Sequence, residues 1–309
     1  MRIMPKCQAL SRDAFEEFRS KDAPAFRPLE ILTRRLLAEV VFDAVPFRNL
    51  TLNQLNIDDE RSFRHVALYE DLKRALIQSG YRFRVAAPDS PASQWDRALF
   101  LNLAFWDASE EGDVLTSDHI AADVVTHVAW HHLARKAIER TGKKSALPSA
   151  DGLLLGEAIA SAFDLYLVGR VLGHSPDSEF LETQVPAMAD AAYGAGVSEE
   201  AFEALLDGIA QDPERAFEDL RSLLFDVCTQ LVPCRSLDEA CIQLEGFAKH
   251  RFACLLHHYE LPVWILHARA YGAKEPDLEA RSIDAALRKA DVALNWLDEH
   301  WVRPALAHA

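Results

Sequence analysis

Two histidines four residues apart are the clearest chemical signal in this sequence. His127 and His131 belong to the run His-Val-Ala-Trp-His-His. On an α-helix, residues four apart lie one turn above each other, so both imidazoles can reach one ion from the same side. The rest of their stripe is apolar, with Ile120, Val124, Ala134 and Ile138. The pattern predicts inward-facing imidazoles that need a carboxylate, a backbone carbonyl or a metal as partner.

Glu157 is the carboxylate that a second predicted helix, Leu153 to Val171, can bring to these histidines. A charged glutamate on so apolar a helix is rarely buried without a partner. Two interpretations follow. Glu157, His127 and His131 either form a hydrogen-bonded network that specifies packing, or they hold a metal ion. The spacing, the apolar stripe and the matching glutamate helix favour the metal.

The segment 125–131, followed by Gly-Glu-Ala-Ile-Ala-Ser at 156–161, resembles the metal-binding helix pair of the gluzincin metallopeptidases, the thermolysin-like branch of the zincins. In that family two histidines of a His-Glu-x-x-His helix and a glutamate of the next helix hold zinc, and the glutamate beside the first histidine is the general base. The resemblance implies a zincin-like lobe with His127, His131 and Glu157 as metal ligands. Val128 stands at the position of the base, so the resemblance implies a metal site without the peptidase's proton acceptor.

Three further residues are candidates for catalytic or supporting roles at this site. Asp123 and Asp164 could each orient an imidazole through its second ring nitrogen, or they could be ordinary solvated or capping acids. Asp164 is favoured because it shares a helix face with Glu157. His132 lies off the apolar stripe, which makes it either a flanking residue or a proton acceptor for a hydrolytic reaction.

A second group of metal-binding side chain types occurs at helical spacing near the C-terminal end: His250, Cys254, His257 and His258. It lacks a Cys-x-x-Cys pair and an acidic partner, so packing and surface roles are favoured over a second metal site. One of these histidines could still reach the first site. The cysteines, Cys7, Cys228, Cys234, Cys241 and Cys254, form no Cys-x-x-Cys motif and are expected to be free thiols.

The periodicities predict an α+β fold that is predominantly α-helical. In residues 1–172 we expect a zincin-like lobe with a small sheet, in which a helix at 62–79 is followed by strands at 81–85 and 98–106 and by the histidine helix, capped near Asp118. Residues 173–186 are polar and turn-rich and mark the boundary between two lobes. Residues 173–309 are expected to form a helical lobe packing over the site, with helices at 199–209, 213–231, 237–259, 261–271 and 277–302.

Composition narrows the classes of partner. With 33 basic and 48 acidic residues the chain has a formal charge of −15, which disfavours broad contacts with nucleic acid or anionic lipid. We recognise neither an apolar signal core nor an apolar run of about 18 residues, so no membrane span is expected. A cytoplasmic protein acting on a small molecule or a peptide is the simplest interpretation, and the sequence carries no signal of oligomeric state.

Two histidines and a carboxylate suit both Zn(II) in hydrolases and Fe(II) in oxygenases. Because Val128 cannot accept a proton, we expect a non-peptidase metalloenzyme, with iron-dependent oxidation of a small or peptide-like substrate ahead of hydrolysis. The alternatives are a zinc-dependent hydrolase with another general base and a zincin-like pseudoenzyme that works by binding a partner. Haem ligation by a histidine also stays open.

Overall fold

The computed structural model describes residues 47–86, 113–115, 117–141, 149–175, 177–271 and 277–307. Helices dominate these residues, and a small strand portion lies near the N-terminal end. The predicted α+β, predominantly helical fold class is therefore confirmed. The predicted strand at 98–106 lies outside the described residues.

The strands form two small sheets. Three of them, β1 (Phe47–Thr51), β3 (Arg82–Ala86) and β4 (Val114–Leu115), lie in the order β1-β3-β4. β1 is antiparallel to β3, with Asn49 opposite Arg84, and β4 is parallel to β3. The second sheet pairs β2 (Asn56–Asp58) in parallel with β5 (His119–Ala121). Because β5 runs directly into the histidine helix, this pairing fixes where that helix begins.

The α-helices are α1 (Ala67–Ser79), α2 (Ala122–Thr141), α3 (Ala150–Val171), α4 (Glu179–Gly194), α5 (Glu199–Gln211), α6 (Pro213–Leu231), α7 (Leu237–Glu245), α8 (Leu261–Tyr271), α9 (Leu278–Lys289), α10 (Ala293–Leu297) and α11 (Arg303–Ala307). Short 3-10 helices cover Leu52–Gln54, Glu60–Phe63 and Ala253–His258, and a π-helix covers Asp298–Val302.

Helix α3 is the centre of the core. It packs along α2 on one side and along α6 on another, and α5 and α8 also contact it. At Gly169 a Cβ atom would lie 2.7 Å from the carbonyl oxygen of Ile209, so the close approach of α3 to the end of α5 requires glycine there. By length and composition α3 could cross a membrane, although the sequence analysis recognised no apolar run of that length. In the structure 89% of its most apolar window is buried within the protein.

Helix α2 starts later than predicted. The sequence suggested a cap near Asp118, but residues 119–121 are extended because they pair with β2, and the helix begins at Ala122. His119 therefore lies in the strand before the helix and does not share a helix face with His127. Its imidazole instead lies 2.8 Å from the carboxylate of Asp58.

Residues 173–186 are not simply a turn-rich linker, because helix α4 begins within them at Glu179. Its start is held by a carboxylate from far away in the sequence: Ser178 Oγ donates to Asp59 Oδ2 at 2.6 Å, and the Phe180 amide donates to the same oxygen at 3.3 Å. Local sequence cannot show such a remote cap. The division into lobes at residue 172 stays a prediction.

Two long helices predicted near the C-terminal end are broken. The helix expected at 237–259 ends at Glu245, and no residue of the observed helix, Leu237–Glu245, is buried. Buried residues occur only beyond its end, at Phe252 and Leu255. The helix expected at 277–302 is interrupted by extended backbone at Ala290 and Val292. Three apolar residues seven apart in this segment are buried on both sides of the break, so their spacing marks burial and not a continuous helix: Leu287, Leu294 and Trp301.

Candidate metal centre

Helices α2 and α3 bring His127, His131 and Glu157 together. One ligand atom from each of the three side chains lies within 4.8 Å of the other two. The imidazole rings lie one turn apart on α2, with centroids 4.9 Å apart and ring planes tilted by 54°. Glu157 enters from α3 and is only 7% exposed. The predicted convergence of these three residues is therefore present in the structure.

The separations suit a single ion. Atoms bound to one metal at about 2.1 Å lie roughly 3.0 Å apart in neighbouring octahedral positions and roughly 3.4 Å apart in a tetrahedron. His131 Nε2 lies 3.7 Å from Glu157 Oε2, about 0.3 Å more than the tetrahedral separation and about 0.7 Å more than the octahedral one. Two imidazole nitrogens and a carboxylate oxygen are also the donor types that Zn(II) and Fe(II) accept.

Asp164, one of the proposed supporting residues, contacts the first histidine. Its Oδ2 atom accepts a hydrogen bond from His127 Nδ1 at 2.9 Å. A carboxylate on the second nitrogen of a ligating imidazole fixes the tautomer and the ring orientation, which leaves Nε2 as the metal ligand. Asp164 lies two turns after Glu157 on α3, so one helix supplies both the candidate ligand and the group that orients another ligand.

Without metal, the pKa values of the three candidate ligands are strongly shifted from their ordinary values. Burial lowers the pKa of His127, but Asp164, Glu157 and Asp113 outweigh it and raise that pKa to about 9. Burial lowers the pKa of His131 well below its ordinary value, and the charge on His127 adds to this effect. Burial raises the pKa of Glu157 to about 8, with Asp113 and Asp164 adding to the shift and His127 opposing it. The metal-free centre near neutral pH thus has a protonated His127 and a neutral Glu157.

The other candidate residues occupy different positions. Burial raises the pKa of Asp123 to about 6, with Asp164 adding and His127 opposing, so its carboxylate lies within electrostatic range of the centre. The ring of His132 packs edge-on against Tyr81, with centroids 5.2 Å apart. Val128, at the position of a gluzincin's base, is 4% exposed and belongs to the apolar core.

The histidine and cysteine group near the C-terminal end does not form a second centre. Among the described residues only the set on α2 and α3 brings three metal-binding side chains together. His257 is exposed and Cys254 is partly buried. Of this group, His258 lies within electrostatic range of the first site. Burial lowers the pKa of His258, and the negative charge of Asp164 partly raises it again.

The segment from His258 into helix α8 supplies neighbours that the sequence analysis missed. Burial and the charge of Asp164 raise the pKa of Tyr259. The charge of Glu260 contributes to the raised pKa of Glu157. His267 is 8% exposed, and burial lowers its pKa to about 4. A histidine within the apolar run Val-Trp-Ile-Leu-His was the available signal for this last residue.

Asp113 is a further neighbour that sequence reasoning did not find. It precedes β4 and accepts a hydrogen bond from the Tyr81 hydroxyl at 2.8 Å. Burial raises its pKa, whereas Tyr81 and His127 lower it. Its place beside the centre depends on the pairing of β3 with β4, and no local pattern indicates that pairing.

The described cysteines are free thiols: Cys228, Cys234, Cys241 and Cys254. Cys228 is buried on α6, and its pKa is raised by burial and by Glu157.

Comparison of the chain with protein-family models, with curated proteins and with solved structures finds no significant match.

Proposed function

We propose that this protein is a metal-dependent enzyme with a centre of two histidines and one carboxylate, and that it oxidises a small or peptide-like substrate. The observation that carries the proposal is the convergence of His127, His131 and Glu157 within 4.8 Å. Three protein ligands leave further positions on a metal for substrate or co-substrate, as catalytic sites require. The resemblance of the helix pair to that of gluzincins supports the ligand assignment and is itself part of the proposal.

The side chain of Val128 favours oxidation over hydrolysis by the gluzincin route. It is buried among apolar neighbours and has no atom that can accept a proton from water. Bound Fe(II) would supply the activation of O₂, a reaction that does not need a protein base beside the first ligand.

The protein's own residues have separable roles in this proposal. His131 and Glu157 hold the ion from two helices, which fixes its position relative to the core. Asp164 keeps a proton on His127 Nδ1, so Nε2 stays deprotonated for the metal. Val128 and the buried residues of α3 form an apolar wall beside the centre.

Zinc-dependent hydrolysis is the second candidate. The 3.7 Å separation of His131 Nε2 and Glu157 Oε2 is closer to a tetrahedral edge than to an octahedral one. His258 is also within electrostatic range of Asp164, and its lowered pKa keeps the imidazole neutral and able to accept a proton. In a hydrolase this imidazole would act in place of the missing glutamate.

The test is elemental analysis of the full chain purified without added metal. It is repeated on His131→Ala and Glu157→Gln, with His300→Gln, an exposed histidine, as the matched control. We expect about one equivalent of metal in the parent protein and the control, and loss of metal in both ligand variants. Iron should be accompanied by substrate-dependent O₂ consumption, and zinc by chelator-sensitive hydrolysis of an activated ester.

Three results would contradict the proposal. Metal content that is unchanged in both ligand variants would place the ion elsewhere, and failure to bind any divalent metal at micromolar concentration would leave a hydrogen-bonded packing network. Metal bound through all three residues without O₂ consumption or hydrolysis would indicate a binding protein that keeps the ion as a structural element.

A further inference from the structure

Two exposed histidines meet at the end of helix α3. The imidazole rings of His65 and His174 have centroids 4.6 Å apart, and their planes are tilted by 31°. Both residues are exposed. His65 lies between the 3-10 helix Glu60–Phe63 and α1, and His174 lies in the turn after α3. This histidine pair therefore joins two segments that are more than a hundred residues apart in the sequence.

Packing holds the backbone near both histidines in place. On one side, Phe63 is fully buried and packs edge-on against Phe180 of α4, with ring centroids 5.4 Å apart. On the other side, Gly173 has a φ of 79°, which turns the chain after α3, and the amide of His174 donates to the carbonyl of Val171 at 3.0 Å. Two imidazoles on an ordered backbone lose less freedom when they bind a common ligand than imidazoles on mobile loops do.

The hydrogen bond of His65 leaves one ring nitrogen for a ligand. Its Nε2 atom donates to the carbonyl oxygen of Arg170 at 2.7 Å. Since a carbonyl only accepts, the proton of neutral His65 is on Nε2 and the lone pair is on Nδ1. Histidines that bind metals commonly donate their second ring nitrogen to a backbone carbonyl in this way. His65 is thus in the tautomer that binds a metal through Nδ1.

The charge at this end of α3 favours a cation. Arg170 belongs to the last turn of α3, where the carbonyl groups form the negative end of the helix dipole. The guanidinium of Arg170 forms an ion pair with Glu214 on α6 and lies over the ring of Tyr166. Its positive charge is therefore offset by a carboxylate, and the carbonyl groups beside the histidine pair still favour a bound cation.

The separation of the two rings matches that of two ligands of one ion. Imidazoles bound at about 2.1 Å in neighbouring positions have ring centres roughly 4.6 Å apart at a right angle and roughly 5.3 Å apart at a tetrahedral angle. The histidine pair has the first of these separations. The candidate ligands His127 and His131, 4.9 Å apart, lie between the two. Right angles between ligands are found in square-planar and octahedral complexes, such as those of Cu(II) and Ni(II).

We propose that His65 and His174 form a further metal site, which binds one divalent transition-metal ion of the group Ni(II), Cu(II) and Zn(II). The ion links the start of α1 to the end of α3, and water completes its coordination. Two imidazoles are half the ligand set of a structural zinc site, so we expect a dissociation constant of about 1–100 µM. Protein purified without added metal then loses this ion. The site does not depend on the proposed function.

Calorimetric titration of the full chain with Ni(II), which accepts imidazole ligands, tests the site. The parent protein is compared with His131→Ala, which removes a ligand of the candidate centre, with His65→Gln, and with the double variant that carries both changes. We expect two binding events per chain in the parent protein, one in each single variant and none in the double variant. His174→Gln should behave like His65→Gln, and the exposed control His300→Gln should behave like the parent protein.

Glutamine at position 65 keeps the structural part of the histidine. Its side-chain amide can still donate to the Arg170 carbonyl, so metal-free His65→Gln should melt at the temperature of the parent protein. Binding of Ni(II) at the histidine pair should weaken at least about tenfold in this variant. Saturating Ni(II) should raise the melting temperature of His131→Ala and leave that of the double variant unchanged. Mg(II), which prefers oxygen ligands, should not replace Ni(II) in this effect.

The outcomes separate this site from the candidate centre. A single binding event that His131→Ala abolishes and His65→Gln leaves unchanged overturns the histidine pair as a metal site and upholds the centre. A single event that His65→Gln abolishes and His131→Ala leaves unchanged upholds the histidine pair alone. If the double variant binds Ni(II) as tightly as His131→Ala does, the ion lies on other surface groups and the proposal is wrong.

Discussion

Metal binding should release protons, because the metal-free centre holds protons on two of its three candidate ligands. With a pKa of about 9, His127 is almost fully protonated near pH 7, and Glu157, with a pKa of about 8, is roughly nine-tenths protonated. The burial that lowers the pKa of His131 keeps that imidazole neutral. Since a metal takes neutral imidazoles and an ionised carboxylate, binding near pH 7 should release about two protons.

The same values set the dependence on pH. At about pH 9.5 roughly a quarter of His127 and almost none of Glu157 is still protonated, so release should fall to about 0.3 proton. Apparent metal affinity should therefore rise roughly a hundredfold per pH unit near pH 7 and level off above about pH 9. Calorimetric titration in buffers with different ionisation enthalpies measures the number of protons at each pH.

One variant and one control test which residue holds the released protons. Asp164→Asn removes the carboxylate that stabilises the protonated His127, so release near pH 7 should drop toward about one proton. His300→Gln, at an exposed position, should leave the release unchanged. Release of fewer than about half a proton by the parent protein near pH 7 would refute the protonation states assigned to His127 and Glu157.

Four further outcomes are expected. Above pH 6.5 the metal-free protein should lose stability as pH rises, because a pKa raised on folding stabilises the protein below that raised value and the stabilisation is lost as pH approaches it. The raised pKa is about 9 for His127 and about 8 for Glu157, so the loss should run from pH 6.5 to about 9. Melting temperatures across this range should fall without metal and stay level with it, and a flat profile without metal would count against both shifts. Val128→Glu should reduce the melting temperature, because a buried carboxylate costs several kcal/mol. If the new carboxylate reaches the site, the zinc-loaded variant should hydrolyse an activated ester faster than the parent protein. A structure of the variant with this carboxylate turned away from the metal would contradict the alignment with gluzincins. Arg221→Met should cost about 3 kcal/mol in urea unfolding, because it removes a fully buried guanidinium and leaves Glu218 without that partner, while Asp284 keeps Arg288. Arg215→Met, at a 70% exposed side chain, should change stability by less than about 1 kcal/mol. The zinc-loaded protein should not cleave casein above background, and robust chelator-sensitive proteolysis would show that another residue acts as the base.

The sequence by itself determined the parts of the site that depend on helical periodicity. His127 and His131 had to share a face because residues four apart on any α-helix do, and the apolar stripe showed that this face points inward. Glu157 stood out because a lone acid on so apolar a helix needs a partner. The mostly helical fold class followed from the same periodicities, as did the end of α1 at Gly80, where a positive φ of 65° suits glycine.

Only the tertiary structure decided what surrounds these residues. The bond from His127 to Asp164 depends on how α2 packs on α3, and Asp113 arrives through strand pairing. His258 and Glu260 come from a segment about a hundred residues away in the sequence. The continuity of the predicted helices at 237–259 and 277–302 was likewise decided by packing. A local sequence pattern shows only which side of a helix or strand is apolar. Contacts between charged groups, and caps such as Asp59 at the start of α4, depend on segments that are distant in sequence. The pKa shifts at the centre come from those contacts, so they could not be predicted from the sequence.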